Sequence, residues 1–586
     1  MNRAVARRAI AQISCLGYRK AVTEESSRFA AHLLCRPSRK GAGRCPGVWR
    51  RAYHTPSQVA FTSGVHHDTI YALSSANGKA GIAVIRISGP SCTQIYHELC
   101  PHKTAPKPRY ATLRTLYFPG SQGTEVLDSS ALVLYFPAPQ TVTGEDVLEL
   151  HVHGGSATVK AVLSAISKCA NDGSIRYAEP GEFTKRAFMN DRLDLSQVEA
   201  LSEVLAAETE QQRRAAVRGS SGSLGRTYES WRSKLLHARA EMEALIDFQE
   251  DQHFDESPAT LVGSVSKQVM DILRSIETHE MASERTELLR NGIQVALLGP
   301  PNAGKSSLMN QVVGREASIV SGESGTTRDI VEANLDIRGY LCTFADTAGF
   351  RTATTSGDVD AANPETRIGA VEEEGIRRAR AKATQSDVII VLASVEERPA
   401  GGHEIRYDVE TLKLAAACPQ RLVLVNKIDT VSEPETSRLV SEFQDGVLNK
   451  IPGLESTAPL LISCKAARNQ SSDHQDPGGV RLVANQLALA FQNMTSLPES
   501  LEDLHGVTER QRQLLVQCRN SLEEYIEVAT ITNTEEQEAA GEVDLTMAAE
   551  HLRYAANCLG RITGRGEAGD VEEVLGVIFE KFCVGK

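Results

Sequence analysis

The chain has 586 residues, 24% charged and 41% hydrophobic, which excludes wholesale disorder and fibrous repeats and leaves room for about four domains or segments. The net charge of −12 is uneven: residues 1–60 hold ten Arg and two Lys against Glu24 and Glu25, a balance of +10, and the remainder stands at −22. No run of about 18 apolar residues occurs, so no transmembrane helix is expected, and twelve Cys without a CxxC pair exclude the usual structural zinc spacing and a disulfide scaffold.

In chain order, residues 1–53 read as a mitochondrial presequence, Arg-rich, almost free of acids and scattered with Ala, Ser and Leu. Arg51-Ala52-Tyr53 resembles a matrix-processing site, so cleavage after Tyr53 and a matrix location are expected. From about residue 62 the text becomes that of strands. Residues 69–75 and Ile82–Ser88 are short and apolar, with the turn pair Asn77-Gly78 between them; 131–136 and Val147–His153 are further strands. Gly154-Gly155 then leads into a helical stretch. From 194 to about 248, Leu195, Val198, Leu201 and Leu205 recur at three- and four-residue steps, which predicts helix. Residues 293–465 alternate apolar strands with helices, as in an open α/β sheet, and helical text returns from about 501. Helices therefore flank the α/β block, which is expected to be an insert. The predicted organisation is an N-terminal α+β domain over 62–182, a discontinuous all-α helical domain over 183–288 and 497–586, and an inserted α/β domain over 289–496. Residues 352–369 and 469–479 read as irregular surface insertions, expected to be mobile.

The insert carries a phosphate loop. Gly299-Pro300-Pro301-Asn302-Ala303-Gly304-Lys305-Ser306 matches GxxxxGK[ST], after the strand Ile293–Leu298 and before a helix expected to begin near Ser307. Gly299, Asn302, Ala303, Gly304 and Ser307 line a turn whose amides face phosphate oxygens; Lys305 reaches the β/γ-phosphates and the Ser306 hydroxyl ligates Mg²⁺. Asp346-Thr347-Ala348-Gly349 matches DxxG, with the Asp meeting Mg²⁺ through water, and Thr327 suits the switch Thr that completes the metal's coordination. Asn426-Lys427-Ile428-Asp429 matches NKxD, whose Asp accepts two N–H bonds from guanine, and Ser463-Cys464-Lys465 stands where SAK supports the base. The set predicts a Ras-like P-loop GTPase domain. Phe350 occupies the position after DxxG where many regulatory GTPases carry a water-orienting Gln. Water positioning must then come from elsewhere, and the Asn302 amide oxygen is a candidate for holding a monovalent cation beside the phosphates.

Other features have plainer readings. His151 and His153 share one strand face with no third ligand in view, so structural hydrogen bonding is expected. Arg213, Arg214 and Arg218 suit either nucleic-acid phosphate or a solvated helix face. The acidic stretch Glu536–Glu550 reads as a solvated helical face.

Two further stretches, TVTGEDVLELHVHGG over 141–155 and PGEFTKRAFMNDRLDL over 180–195, together with the terminal Phe582-Cys583-Val584-Gly585-Lys586, resemble the signatures of the MnmE (TrmE) family of tRNA-modifying GTPases. The resemblance runs from about residue 66 to the end, and with the presequence it points to a mitochondrial member. It implies a K⁺-stimulated GTPase that works with an MnmG (GidA)-type FAD protein on carbon 5 of the wobble uridine of mitochondrial tRNAs. The product it implies is 5-carboxymethylaminomethyluridine or a taurinomethyl variant, its one-carbon unit drawn from a methylene- or formyl-tetrahydrofolate. It implies a folate-binding N-terminal domain that also forms a homodimer, with contacts from Arg86, Glu149, Lys586 and Arg192; family members often carry Lys where Arg192 stands, a point charge in place of a planar fork. It implies K⁺ ligands at Asn302, Ser321, Glu323 and Thr326, and Mg²⁺ ligands at Ser306 and Thr327. The water-positioning Glu falls on Glu372, with Glu365 as rival, and Cys583 is either a nucleophile or a packing residue. A body at −22 repels phosphate, so tRNA binding by the chain alone is expected to be weak. A ribosome-assembly GTPase of the Era or EngA kind shares the phosphate loop and NKxD but lacks both terminal signatures.

Overall fold

The computed structural model describes residues 68–170, 173–247, 258–320, 333–344, 381, 383–399, 401–468, 476, 478–530, 544–565 and 585. The first six strands, β1 (Thr69–Leu73), β2 (Ile82–Ser88), β3 (Thr112–Tyr117), β4 (Val126–Phe136), β5 (Val147–His153) and β6 (Ile175–Tyr177), form one sheet in the order β3-β4-β5-β2-β1-β6. All neighbours run antiparallel except β1 and β6. Alternation decides the faces. Ala83, Ile85, Ile87, Leu148, Leu150 and Val152 turn into a core with residues of the helices Cys92–Leu99 and Ser156–Ile166. Arg86, Glu149 and His151 turn to the other face, with Arg86 and Glu149 directly opposite each other in the β2/β5 register.

The helical text over 194–248 comprises three helices: Leu195–Ala206, Glu210–Gly219 and Ser223–Asp247. Asp194 and Gln197 close a capping box at the first start, Thr209 and Gln212 one at the second, and Gly222 at φ +70° turns the chain into the third. These capping side chains compete for the backbone ends and stop what periodicity alone would continue. One core then joins residues 224–282 to residues 504–562, the apolar faces of Ser223–Asp247 and Pro258–Asn291 meeting those of Glu509–Thr530 and Leu545–Thr563. Just before the first stretch, Gly219 lies against Gly506, where a Cβ on Gly506 would stand 2.4 Å from Gly219 Cα.

Between them lies the second sheet. Its strands are β7 (Ile293–Leu298), β8 (Ala317–Ile319), β9 (Ala333–Ile337), β10 (Tyr340–Phe344), β11 (Val388–Glu397), β12 (His403–Arg406), β13 (Gln420–Asn426) and β14 (Leu460–Leu461), in the order β14-β13-β11-β7-β10-β9-β8, with β12 antiparallel to the end of β11. The five from β14 to β10 in that order are parallel. Residues 388–395 of β11 are all buried, as a strand covered on both faces requires, and separate cores lie on the two sides. The helix Pro258–Asn291 enters β7 through a single residue, Gly292 at φ +83°.

Candidate functional site

β7 ends at Leu298, and the chain turns through Gly299 at φ +140°, Asn302 at φ +64° and Gly304 at φ +100°. At Gly299 a Cβ would sit 2.2 Å from the Leu392 carbonyl oxygen of β11, so only glycine lets the loop pass over the sheet there. The helix that follows starts at Lys305, two residues before the expected Ser307, because Gly304 in the left-handed region already serves as its N-cap. Ser306 and Ser307 thus stand in the first helical turn, where free amides and the helix dipole favour an anion. The Lys305 ammonium folds back and donates to the carbonyls of Gly299 (2.7 Å) and Pro300 (2.9 Å). Burial lowers its pKa, with Asp408 opposing.

Asn426, at the end of β13, is a bolt between loops. Its amide nitrogen donates to the Ala303 carbonyl (2.8 Å), and its amide oxygen accepts from the Cys464 N–H (3.2 Å). A Cβ on Gly304 would lie 2.2 Å from the Asn426 amide nitrogen, so phosphate loop and NKxD are fitted to each other at van der Waals distance. The Ser463 hydroxyl donates to Asp429 Oδ1 (2.5 Å) and accepts from the Ala466 N–H (3.0 Å), which fixes the carboxylate's direction. Lys465 Nζ lies 4.0 Å from Asp429 Oδ2 and is 82% exposed. Burial pushes the Cys464 thiol up to about 11, so it is a packed thiol at neutral pH. Ser321, Glu323, Thr326, Thr327, Asp346, Thr347, Ala348, Gly349, Phe350, Glu365, Glu372, Cys583 and Lys586 lie outside the described residues, as do residues 352–369.

The open face of the first sheet carries a second cluster. Arg86 Nε donates to Glu149 Oε1 (3.0 Å), and His151 Nε2 lies 3.5 Å from Glu149 Oε2. His153 bonds the buried Asp128 carboxylate (2.9 Å), the structural role expected of it. Burial raises the Asp128 pKa, but the amides of Ser130 and His153 and the His153 ring outweigh it and hold the carboxyl below its usual range. The far end of the chain reaches this sheet: the Gly585 carbonyl accepts from the Ser74 hydroxyl (2.8 Å), and a Cβ there would meet the Leu73 carbonyl at 2.2 Å. Arg192 Nε donates to the Thr141 carbonyl (3.0 Å) beside Asn190, which donates to the Thr143 carbonyl (2.7 Å).

Sequence reasoning missed what the two N-terminal signature stretches do to each other. Arg186, 1% exposed, donates to Glu145 (3.1 Å), Glu182 (3.2 Å) and Asp68 (3.0 Å), and Arg176 pairs with Asp68 and Glu182. Ser88 bonds Thr143 (2.7 Å) and Glu145 (2.8 Å). Glu145 and Arg186 were visible as members of signature text; Asp68 and Arg176 carried no local signal. The other arginine cluster is engaged on the surface, Arg213 and Arg214 with Glu210 and Arg218 with Glu502.

Comparison with known proteins gives two family matches: the GTP-binding protein TrmE N-terminus over residues 69–192, and the MnmE helical domain over residues 195–583. A tRNA modification GTPase MnmE of Parvibaculum lavamentivorans is 40% identical over 519 residues, covering 89% of this chain and 100% of that protein. The mitochondrial 5-taurinomethyluridine-[tRNA] synthase subunit GTPB3 of Danio rerio is 36% identical over 524 residues (89% and 93%). The mitochondrial tRNA modification GTPase MSS1 of Saccharomyces cerevisiae is 33% identical over 568 residues (92% and 97%).

Proposed function

Because this chain belongs to the MnmE (TrmE) family of tRNA modification GTPases, we propose that it binds and hydrolyses GTP, with Mg²⁺, to drive modification of carbon 5 of the wobble uridine in mitochondrial tRNA. The observation that carries the nucleotide site is the Asn426 bolt, which brings NKxD, the Ser463-Cys464-Lys465 turn and the phosphate loop to one corner of the sheet. In this reading Lys305 turns from its loop carbonyls to the β/γ-phosphates, Ser306 with Thr327 holds Mg²⁺, and Asp429 selects guanine. Asn302, Ser321, Glu323 and Thr326 hold K⁺, which supplies positive charge to the phosphates. Asn302 supports that role as an exposed residue of the phosphate loop with a left-handed backbone, φ +64°. Glu372, or its rival Glu365, orients the attacking water in place of the residue that Phe350 lacks.

Arg86 and Glu149, with Arg192 and Lys586, would hold a methylene- or formyl-tetrahydrofolate, which would supply the one-carbon unit for the uridine; Cys583 lies in the same terminal text. Gly585 at the edge of β1 supports this, since it brings the last residue's neighbour to that sheet. The N-terminal domain (62–182) also forms a homodimer, the helical domain comprises 183–288 and 497–586, and the GTPase domain spans 289–496. An MnmG-type FAD protein is the partner and supplies most of the grip on tRNA. Residues 1–53 direct the chain to the mitochondrial matrix.

Three experiments test this. Nucleosides of mitochondrial tRNA from a deletion strain are expected to contain unmodified wobble uridine, and the product missing relative to wild type identifies carboxymethylaminomethyl or taurinomethyl; a full complement of modified nucleoside would end the reading. GTP turnover is expected to be faster in K⁺ than in Na⁺, and equal rates would remove the cation role. Nanomolar binding of tRNA by the mature chain alone in roughly 200 mM salt would contradict the charge argument.

A further inference from the structure

Lys427 stands between Asn426 and Asp429 with a left-handed backbone, φ +65°. Its ammonium lies 3.3 Å from Glu396 Oε1, and its side chain is 34% exposed. A lysine stem has four rotatable carbons and loses substantial rotamer freedom when held, so a lysine fixed in one direction needs a fixed partner. Glu396 is such a partner. The fully buried Ser394 donates its hydroxyl to Glu396 Oε1 (3.1 Å), and Arg406 on β12 donates to Glu396 Oε2 (3.1 Å). Burial raises the Glu396 pKa, but the bonds from Arg406, Lys427 and Ser394 outweigh it, and the carboxyl is held below its usual range.

The strand explains the placement. β11 passes beneath the phosphate loop at Leu392, Ser394 is in register with Asn426 on one side and with Arg406 on the other, and Glu396 follows on the same face as Ser394. The β11–β12 hairpin therefore carries one carboxylate past the end of the parallel sheet, into the corner where NKxD meets the loop.

We infer that Glu396 is a positioning residue for guanine nucleotide: through its ion pair it holds the Lys427 stem beside Asp429, where the base binds. The inference rests on the reading of Asp429 as the guanine contact. A lysine stem lying along a ring covers apolar surface while its ammonium stays solvated or paired. The contact is the same before and at the transition state, so its loss weakens binding and leaves the chemical step alone.

The test uses the full chain, a fluorescent N-methylanthraniloyl GDP and a GTP analogue, with steady-state GTP turnover alongside. Glu396→Ala is expected to weaken both nucleotides by about tenfold and raise KM equally with kcat unchanged, as loss of one charge-assisted bond predicts. Glu396→Gln keeps an acceptor for Lys427 and is expected to recover most of the affinity. Affinity within twofold of wild type for Glu396→Ala, or a fall in kcat at constant KM, overturns the inference. Asp429→Asn separates the two levels: it is expected to shift preference to xanthosine nucleotides. If it does and Glu396→Ala is silent, only the role of Glu396 falls; if it does not, the base-site reading falls and takes this inference with it.

Discussion

Arg186 and Lys305 are both cations in signature text, and they live in opposite electrostatic conditions. Arg186 is enclosed, and its terminal nitrogens meet carboxylates of Asp68, Glu145 and Glu182. Lys305 is half-buried at a helix N-terminus and donates to two neutral carbonyls of its own loop. The first cluster is closed: the guanidiniums of Arg176 and Arg186 pair with the carboxylates of Asp68, Glu145 and Glu182, and any ligand would have to break those pairs. The second is open: positive potential from ammonium and helix amides converges there, and the ammonium donates only to carbonyls of its own loop, with the Asp408 carboxylate acting on it from outside any hydrogen bond. A motif rich in charge is thus a scaffold when its ions satisfy each other and a site when they do not.

The contrast breaks most visibly at Arg186. Arg186→Met leaves three carboxylates crowded in a buried place, two of them, Glu145 and Glu182, at most 15% exposed. Removing one partner of a buried ion cluster costs about 3–5 kcal/mol. Denaturant unfolding of the N-terminal sheet is expected to shift by that amount, while GTP turnover per folded molecule stays near wild type. Lys305→Ala should do the reverse. Loss of a preorganised donor to developing charge costs about 10²–10³ in kcat, and its carbonyl partners are neutral, so the melting temperature should hardly move. If Lys305→Ala unfolds the chain, or Arg186→Met abolishes turnover without loss of fold, the division into closed and open clusters is wrong.

The same division explains what the sequence disclosed. β2, β5 and β7 have the bounds read from their apolar text, because central strands declare themselves by period or by continuous hydrophobicity. β4 starts at Val126, five positions before residue 131, since its first half reads Val-Leu-Asp-Ser-Ser and its buried Asp128 is answered by the Ser130 amide and by His153 across the sheet. The edge strand β3, Thr-Leu-Arg-Thr-Leu-Tyr, offered no clear alternation and went unread. The phosphate loop and NKxD were legible because phosphate and guanine chemistry is built from consecutive residues. Glu396 and Asp68 were not, since they act on Lys427 and Arg186, 31 and 118 positions away.

A smaller effect lies where the helical domain meets β7. A cavity of about 420 Å³ there is lined by Glu199, Glu203, Arg290 and Arg510 among others. Burial pushes Glu203 up to about 7 from 4.5, with the Arg290 guanidinium opposing and the Glu199 carboxylate adding to the rise. The folded chain therefore keeps this proton to higher pH than the unfolded chain. Its contribution to stability is full below pH 4.5, declines as pH rises to about 7, and is flat above. The decline is at most about 3 kcal/mol at 1.36 kcal/mol per pH unit. Glu203→Gln cannot titrate, so the difference between wild type and variant in urea unfolding should grow steadily across that window. His279 and His505, pushed down to about 4 by burial, slope the other way in both proteins and cancel in the difference. A difference independent of pH would remove Glu203 as the titrating group.

The smallest effect is expected where the same residue types face water. Arg213 bonds both oxygens of Glu210 at 2.8 Å, and Arg214 bonds one of them at 2.8 Å, on one exposed helix face. These distances are shorter than those of Arg186, and hydrogen bonds from the two arginines hold the Glu210 pKa at about 2. Short distance is nevertheless poor evidence of stabilisation here. In water the free side chains are nearly as well solvated apart as together, and holding three long chains in one arrangement costs rotamer freedom that offsets the attraction. The double variant Arg213→Ala/Arg214→Ala should therefore melt with wild type at physiological salt, and added salt should leave the comparison unchanged. A destabilisation approaching that of Arg186→Met would mean that ion geometry, and not burial, separates the two clusters.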